Sequence, residues 1–247
     1  MAQVTYESPV YHQLREVIRD KIEEGEYPLC SAIPSESEMA EYYGISRQTV
    51  HNAYNALIRE GVLCRVPGKG VFVLGKKVER DLDDLSGFNQ TMREKHVIPS
   101  VKVLSQNLRD AGEYYGEMFG IAPEDEIYYI KRVCYANGEP VSLEEIYVPQ
   151  YVIPKMGGID LSVFSVYEIY GIYGVNLQRA EQELYLVHLD QKDARVLGID
   201  TSLPVMNFES ISYDETGRVV EFNRNYVMPT EQTPISESAK TATPTKP

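Results

Sequence analysis

Residues 33–74, IPSESEMAEYYGISRQTVHNAYNALIREGVLCRVPGKGVFVL, hold two short helices, a tight turn and a hairpin, each with its own punctuation. Ser35 and Glu38 have the S-x-x-E spacing of a capping box behind Pro34, so a helix starts there. It runs through Met39, Ala40 and Tyr43 to Gly44, a residue suited to the left-handed conformation that ends helices. After a single intervening residue, Ile45, Ser46 caps a second helix. Its apolar residues Val50, Ala53, Tyr54, Leu57 and Ile58 recur at i, i+3, i+4, i+7 and i+8, which gives one buried stripe. The opposite face carries Arg47, Gln48, His51, Asn52 and Asn55, and no acid follows until Glu60. Two helices joined through a short glycine-containing turn, the second with such a face, predict a helix-turn-helix.

The stretches 62–66 and 71–74 are β-rich and flank Pro67-Gly68-Lys69-Gly70, a hairpin signal that predicts a wing. At its tip a lysine stands between two glycines, so a slim backbone can bring a cation to a phosphate. Upstream, Tyr11, Leu14, Val17, Ile18 and Ile22 have helical spacing and complete a three-helix core that ends near Gly25. The run P-S-E, then G-I-S-R-Q-T-V, then G-K-G-V-F-V resembles the winged helix-turn-helix of GntR-type bacterial transcriptional regulators. In that pattern a glycine usually sits near the position of Cys30.

The resemblance implies DNA contacts from Arg47, Gln48 and His51 at the start of the second helix. Arginine can bond guanine O6 and N7 together, and glutamine can do the same at adenine. Ser35, Ser46 and Thr49 are expected as N-caps or phosphate contacts, and Gly68, Lys69 and Gly70 as wing contacts to the backbone or minor groove. Family members often carry arginine at the positions of Ser37 and His51, so those two contacts differ here.

The 247 residues suffice for two domains, and the sequence has no recognisable signal segment and no 18-residue apolar run; a cytoplasmic protein is expected. Three cysteines, an odd number without a C-x-x-C, argue against a disulfide framework or a zinc site, and no cofactor is expected. The formal charge of −13 is unevenly spread. Residues 1–77 hold nine Lys/Arg against ten Asp/Glu, and residues 78–247 hold fifteen against twenty-seven, so the second half carries −12 of it. Between 45 and 77 six cations face one acid, Glu60, which makes the expected DNA face locally positive.

The expected division is 1–75 winged domain, 76–86 charge-dense linker, 87–229 second domain and 230–247 disordered Pro/Thr/Ser-rich tail. In the second domain, strands are expected at 101–106, 127–135, 140–148, 178–189, 205–213 and 218–228, with hairpins at Asn137-Gly138 and around Asp214-Glu215-Thr216-Gly217. Helices are expected at 110–119, from Ser165 to Ile172, and from Asp190 to Gly198. Hairpin-linked strands with inserted helices indicate an α+β domain on a largely antiparallel sheet.

The order R-V-x-x-x-N-G-E-P-V, E-x-x-Y-V-P and Y-D-x-x-G-R-x-V-E resembles the effector-binding (UTRA-like) domain of the HutC subfamily, which has a chorismate-lyase-like fold. That resemblance implies an effector site at Ser86, Gly87, Phe88, Arg132, Glu144, Ser165, Glu221 and Tyr226. Helix-start N–H groups near Gly87 and Ser165, with one guanidinium, would hold an anion, and the two glutamates would accept hydroxyl donors. Relatives that bind sugar phosphates tend to carry a second basic residue two positions after the first, where this chain has Cys134.

The function expected is a homodimeric, ligand-responsive repressor of a palindromic operator, not an enzyme. Its expected partners are duplex DNA, a second copy and a small anionic or polar metabolite (a sugar phosphate, a sugar or an amino-acid relative). The alternatives are a lyase-like enzyme domain fused to a DNA-binding module, and a second domain that only dimerises.

Overall fold

The structure, a computed structural model, describes residues 9–74 and 98–228. The expected linker, the Ser86–Gly87–Phe88 segment and the tail from Thr230 lie outside the described residues. The chain forms two compact units, and they are not contiguous in sequence. The winged domain groups with residues 153–175, and the remaining described residues form the second unit. This differs from the contiguous division expected from the sequence, which put residues 153–175 wholly with the second domain.

In the first unit, α1 (Val10–Glu23), α2 (Glu36–Tyr43) and α3 (Arg47–Arg59) pack around Leu14, Ile18, Met39, Val50, Ala53, Tyr54 and Leu57. Ser35 makes the expected capping box with Glu38, and Gly44 ends α2 in the left-handed region at φ 63°. The Tyr54 ring is fully buried, and its hydroxyl donates to the Pro34 carbonyl at 2.6 Å, which ties α3 to the entry of α2. Strands β1 (Ala32–Ile33), β2 (Leu63–Val66) and β3 (Gly70–Val73) form an antiparallel sheet in the order β1-β3-β2. Cys30, in the place where the family pattern usually has glycine, adopts φ 63° with its side chain fully buried. A non-glycine residue there is uncommon and strained, and the backbone holds it: Cys30 N–H donates to the Val73 carbonyl at 2.9 Å.

The second unit is a six-stranded antiparallel sheet in the order β4-β5-β6-β9-β8-β7. Its strands are β4 (Pro99–Asp110), β5 (Glu126–Ala136), β6 (Glu139–Pro149), β7 (Leu177–Val187), β8 (Val205–Asp214) and β9 (Val219–Val227). Both hairpins appear as expected, with Asn137 at φ 52° and Gly138 at φ 88° in the first. Strand β4 runs four residues past the expected end because its ladder continues to Asp110↔Glu126. Helix α4 (Gly112–Phe119) begins later for the same reason, since Ala111 and Gly112 N–H groups donate to Asp125 and Pro123 carbonyls at 2.8 Å.

The sheet face that bears Val133, Leu143 and Tyr147 packs against helices. Tyr115 of α4 stacks on Tyr147, with ring centroids 4.5 Å apart. Leu189 and, from α6 (Gln191–Leu197), Ala194 and Leu197 pack against Val133, Leu143 and Val205. Helix α5 (Val166–Tyr173), in the first unit, is capped by the reciprocal Ser165–Glu168 box. No helix among the described residues is long and apolar enough to cross a membrane.

Candidate nucleic-acid interface and effector site

Helix α3 buries Val50, Ala53, Tyr54 and Leu57 and leaves Arg47 and Gln48 exposed in its first turn. Ser46 Oγ accepts from the Thr49 N–H at 3.1 Å and bonds the Thr49 hydroxyl at 2.8 Å, so both residues serve the helix start. Gln48 Nε2 donates to Asn52 Oδ1 at 3.1 Å, one turn along the same face. Ser37, Gly68, Lys69 and Gly70 are exposed. Both wing glycines take positive φ, 75° and 122°, which lets the turn close while Lys69 N–H donates to the Val66 carbonyl.

The structure adds a residue that sequence reasoning missed. Glu36, the first residue of α2, sits at the centre of the cations of this face. Its Oε1 meets Arg65 Nη2 at 2.8 Å and His51 Nδ1 at 2.9 Å, and its Oε2 lies 3.5 Å from Arg47 Nε. Asn55 Nδ2 approaches the other His51 nitrogen at 2.8 Å, so the ring can donate from Nδ1 to Glu36 without carrying a net charge. Burial raises the Glu36 carboxyl, but the hydrogen bond from His51 and the charge and hydrogen bond of Arg65 outweigh it and hold the group below its ordinary value. Glu36 carries no helical-face signal with Arg47 or Arg65, because the three reside on α2, α3 and β2. Only the P-S-E motif marked its position.

The effector-site residues divide. Arg132, Glu144 and Glu221 lie in the sheet at 7%, 7% and 1% exposure. Register places Arg132 opposite Glu144 and Glu144 opposite Asn225, so the three share one face. Arg132 Nε donates to Glu144 Oε2 at 2.5 Å. Glu221 stands opposite Ser212 on that same face of β9, four residues before Asn225. Cys134 and Ser142 oppose each other one pleat further on, and burial raises the Cys134 thiol.

Tyr226 does not join them. An odd offset from Glu221 and Asn225 turns it to the other face, opposite Leu143 and Asn207, where it packs against the α6 cluster. Tyr226, expected among the effector-binding residues, therefore does not share the sheet face of Arg132 and Glu144. Ser165 belongs to the first unit, and its N–H already donates to Glu168 Oε2 at 2.7 Å.

Comparison with known proteins accords with both halves. Residues 10–73 match the family described as bacterial regulatory proteins, gntR family, and residues 94–231 match the UTRA domain. The chain is 32% identical to the HTH-type transcriptional repressor NagR of Bacillus subtilis, over 86% of this chain and 88% of that protein. It is 29% identical to the mannosyl-D-glycerate transport/metabolism system repressor MngR of Escherichia coli K12, over 88% and 90%. In fold it resembles PhnF from Mycobacterium smegmatis, with a TM-score of 0.57 at 20% identity over 89% of this chain and 94% of that one. A winged domain with a cationic first turn on α3, a UTRA-matched antiparallel sheet and relatives aligned over most of their length lead to one conclusion: this chain belongs to the GntR family of bacterial transcriptional regulators and carries a UTRA effector-binding domain.

Proposed function

We propose that the chain is a repressor that binds a palindromic operator as a homodimer and releases it on binding a small anionic or polar metabolite. The observation that carries the reading is the pairing of an exposed Arg47–Gln48 turn on α3 with a row formed by the buried Arg132 and Glu144 and the half-buried Asn225 inside a UTRA-type sheet. The first can read base edges in the major groove. The second offers one guanidinium and several oxygens on a single sheet face, a set suited to a ligand with one negative charge and several hydroxyls.

The names of MngR and NagR support repression as the sense of the switch. Mannosyl-D-glycerate, in MngR's name, is a hydroxyl-rich carboxylate and fits that donor set. Recognition without turnover accords with the regulator names of both relatives. One winged domain offers few base contacts, so two copies are needed for a specific site. The edge strand β7 supports a second copy: exposed along most of its length and, among the described residues, paired only with β8, it presents a ladder of backbone groups to a further strand.

The test is a thermal-shift screen with sugar phosphates, sugar acids, sugars and amino acids, followed by operator binding measured by fluorescence anisotropy with each hit. A hit that is recovered unchanged and weakens operator binding about 5- to 150-fold supports the reading. A hit that is chemically converted, or a chain that is monomeric and protects a non-palindromic site, overturns it.

A further inference from the structure

The wing sheet has a second face that DNA recognition does not use. Val71 and Val73 point into the winged core at 9% and 0% exposure, so Phe72 between them must project from the opposite side. In an isolated winged domain that ring would lie in water, yet Phe72 is only 1% exposed. Phe164 covers it edge-on, with centroids 5.8 Å apart and planes at 74°. Lys155 Nζ reaches the Gly25 carbonyl at 3.3 Å, and the charge of Glu168 on α5 adds to the burial that pushes the Cys30 thiol up to about 12. Residues 153–175 thus lie along the outer face of the sheet.

At the wing tip the same segment meets the cation meant for DNA. Lys69 Nζ donates to Ser162 Oγ at 2.5 Å. The Ser162 hydroxyl in turn donates to Asp160 Oδ1, which also accepts the Ser162 N–H at 2.9 Å. A hydroxyl oxygen backed by a carboxylate is a negatively polarised acceptor, the kind of group a phosphate oxygen presents to a lysine.

We propose that the outer face of the wing sheet is a docking surface for the chain's own residues 153–175, and that Ser162 and Asp160 hold Lys69 in competition with a DNA phosphate. The proposal rests on the reading of the winged domain as the DNA-binding element. Docking lowers operator affinity by the fraction of chains in which the wing is held, so weakening the dock raises affinity without any new contact to DNA.

The experiment is a double-mutant cycle on the full-length chain, with Kd for operator DNA measured by anisotropy at fixed salt. Ser162→Ala, which removes the acceptor of Lys69, and Asp160→Ala, which removes the carboxylate that holds and polarises it, are expected to tighten binding about five-fold, the worth of one hydrogen bond. In a Lys69→Ala background both are expected to be silent, since the competing cation is gone. A merely structural role for Ser162 would act equally in both backgrounds, and that result overturns the docking. So does an unchanged Kd for both variants in the Lys69 chain. If the unaltered chain binds no duplex DNA even at low salt, the nucleic-acid reading fails first and takes the docking with it.

Discussion

Substituting Glu36 by Gln separates stability from recognition in the winged domain. The carboxylate is 14% exposed and receives Arg65 and His51 at 2.8 and 2.9 Å, with Arg47 at 3.5 Å. Hydrogen bonds to charged groups contribute about 1.5–3 kcal/mol each, but the partners here are 36% to 71% exposed, which screens them. Gln keeps the volume and one acceptor, so the loss comes to about 1–2 kcal/mol, or a fall of roughly 5–10 °C in the winged unit's transition. Recognition should move in two directions. Without the carboxylate, Arg47 and Arg65 are free to meet phosphates, so affinity for random DNA rises and the salt slope steepens by up to about 0.9 for each added phosphate contact. Arg47 is also no longer oriented, so preference for the operator over random DNA falls by roughly 1 kcal/mol.

The assays are calorimetry and anisotropy on operator and scrambled duplexes across a salt series. Parallel weakening on both duplexes would refute the argument, because it would mean that Glu36 only keeps the domain folded. Since the Glu36 carboxyl is held below its ordinary value, its contribution is complete above the ordinary carboxylate range and fades as pH falls below it. The variant should lack that acid-side fading.

Arg47→Ala should cost about 1–3 kcal/mol and relax preference at one base pair, seen by binding to single-substituted operators; equal loss on every duplex would make it a phosphate contact. Arg132→Ala strands a buried Glu144 and should cost about 3–5 kcal/mol by urea unfolding, whereas Arg132→Met with Glu144→Leu should recover most of it. Asp214 accepts from Thr216 N–H and hydroxyl at 2.8 and 2.6 Å and from the Arg218 backbone and guanidinium at 2.8–3.0 Å, so Asp214→Ala should cost on the order of 2–3 kcal/mol. Burial opposes it, but those bonds hold Asp214 at about 2, so its stabilisation is full above pH ~4 and is lost as pH falls through about 2; an acid titration of the variant should be flatter in that window.

Local chemistry was readable from residues in series because its causes lie within four positions. Ser35 with Glu38, Ser165 with Glu168, Asn137-Gly138 and the Asp214–Arg218 turn each satisfy their own backbone groups, and each forms where its spacing indicates. The Y-D-x-x-G-R motif is now explained by the five bonds at Asp214, with Gly217 supplying φ 82°. Facing was less legible. Whether Tyr226 joins Glu221 depends on an unbroken pleat between them, and one bulge would have reversed it. Glu36 was hidden because its partners come from three elements, and the grouping of residues 153–175 with the wing because Phe72 and Phe164 lie 92 residues apart in sequence. Such contacts leave no periodic trace in the chain.

Strands β4-β5-β6 and β7-β8-β9 are each built from neighbours in sequence, whereas the β6–β9 pairing joins residues 142–147 to residues 222–227. Local meanders close quickly, and a pairing across some eighty residues must wait for the chain between to be gathered in. The row Arg132–Glu144–Asn225 crosses that late seam. Until β9 docks, the buried ion pair of Arg132 and Glu144 has water along one side, so a metabolite binding this row would act on the last step of assembly and slow the reopening of the sheet along β6 and β9.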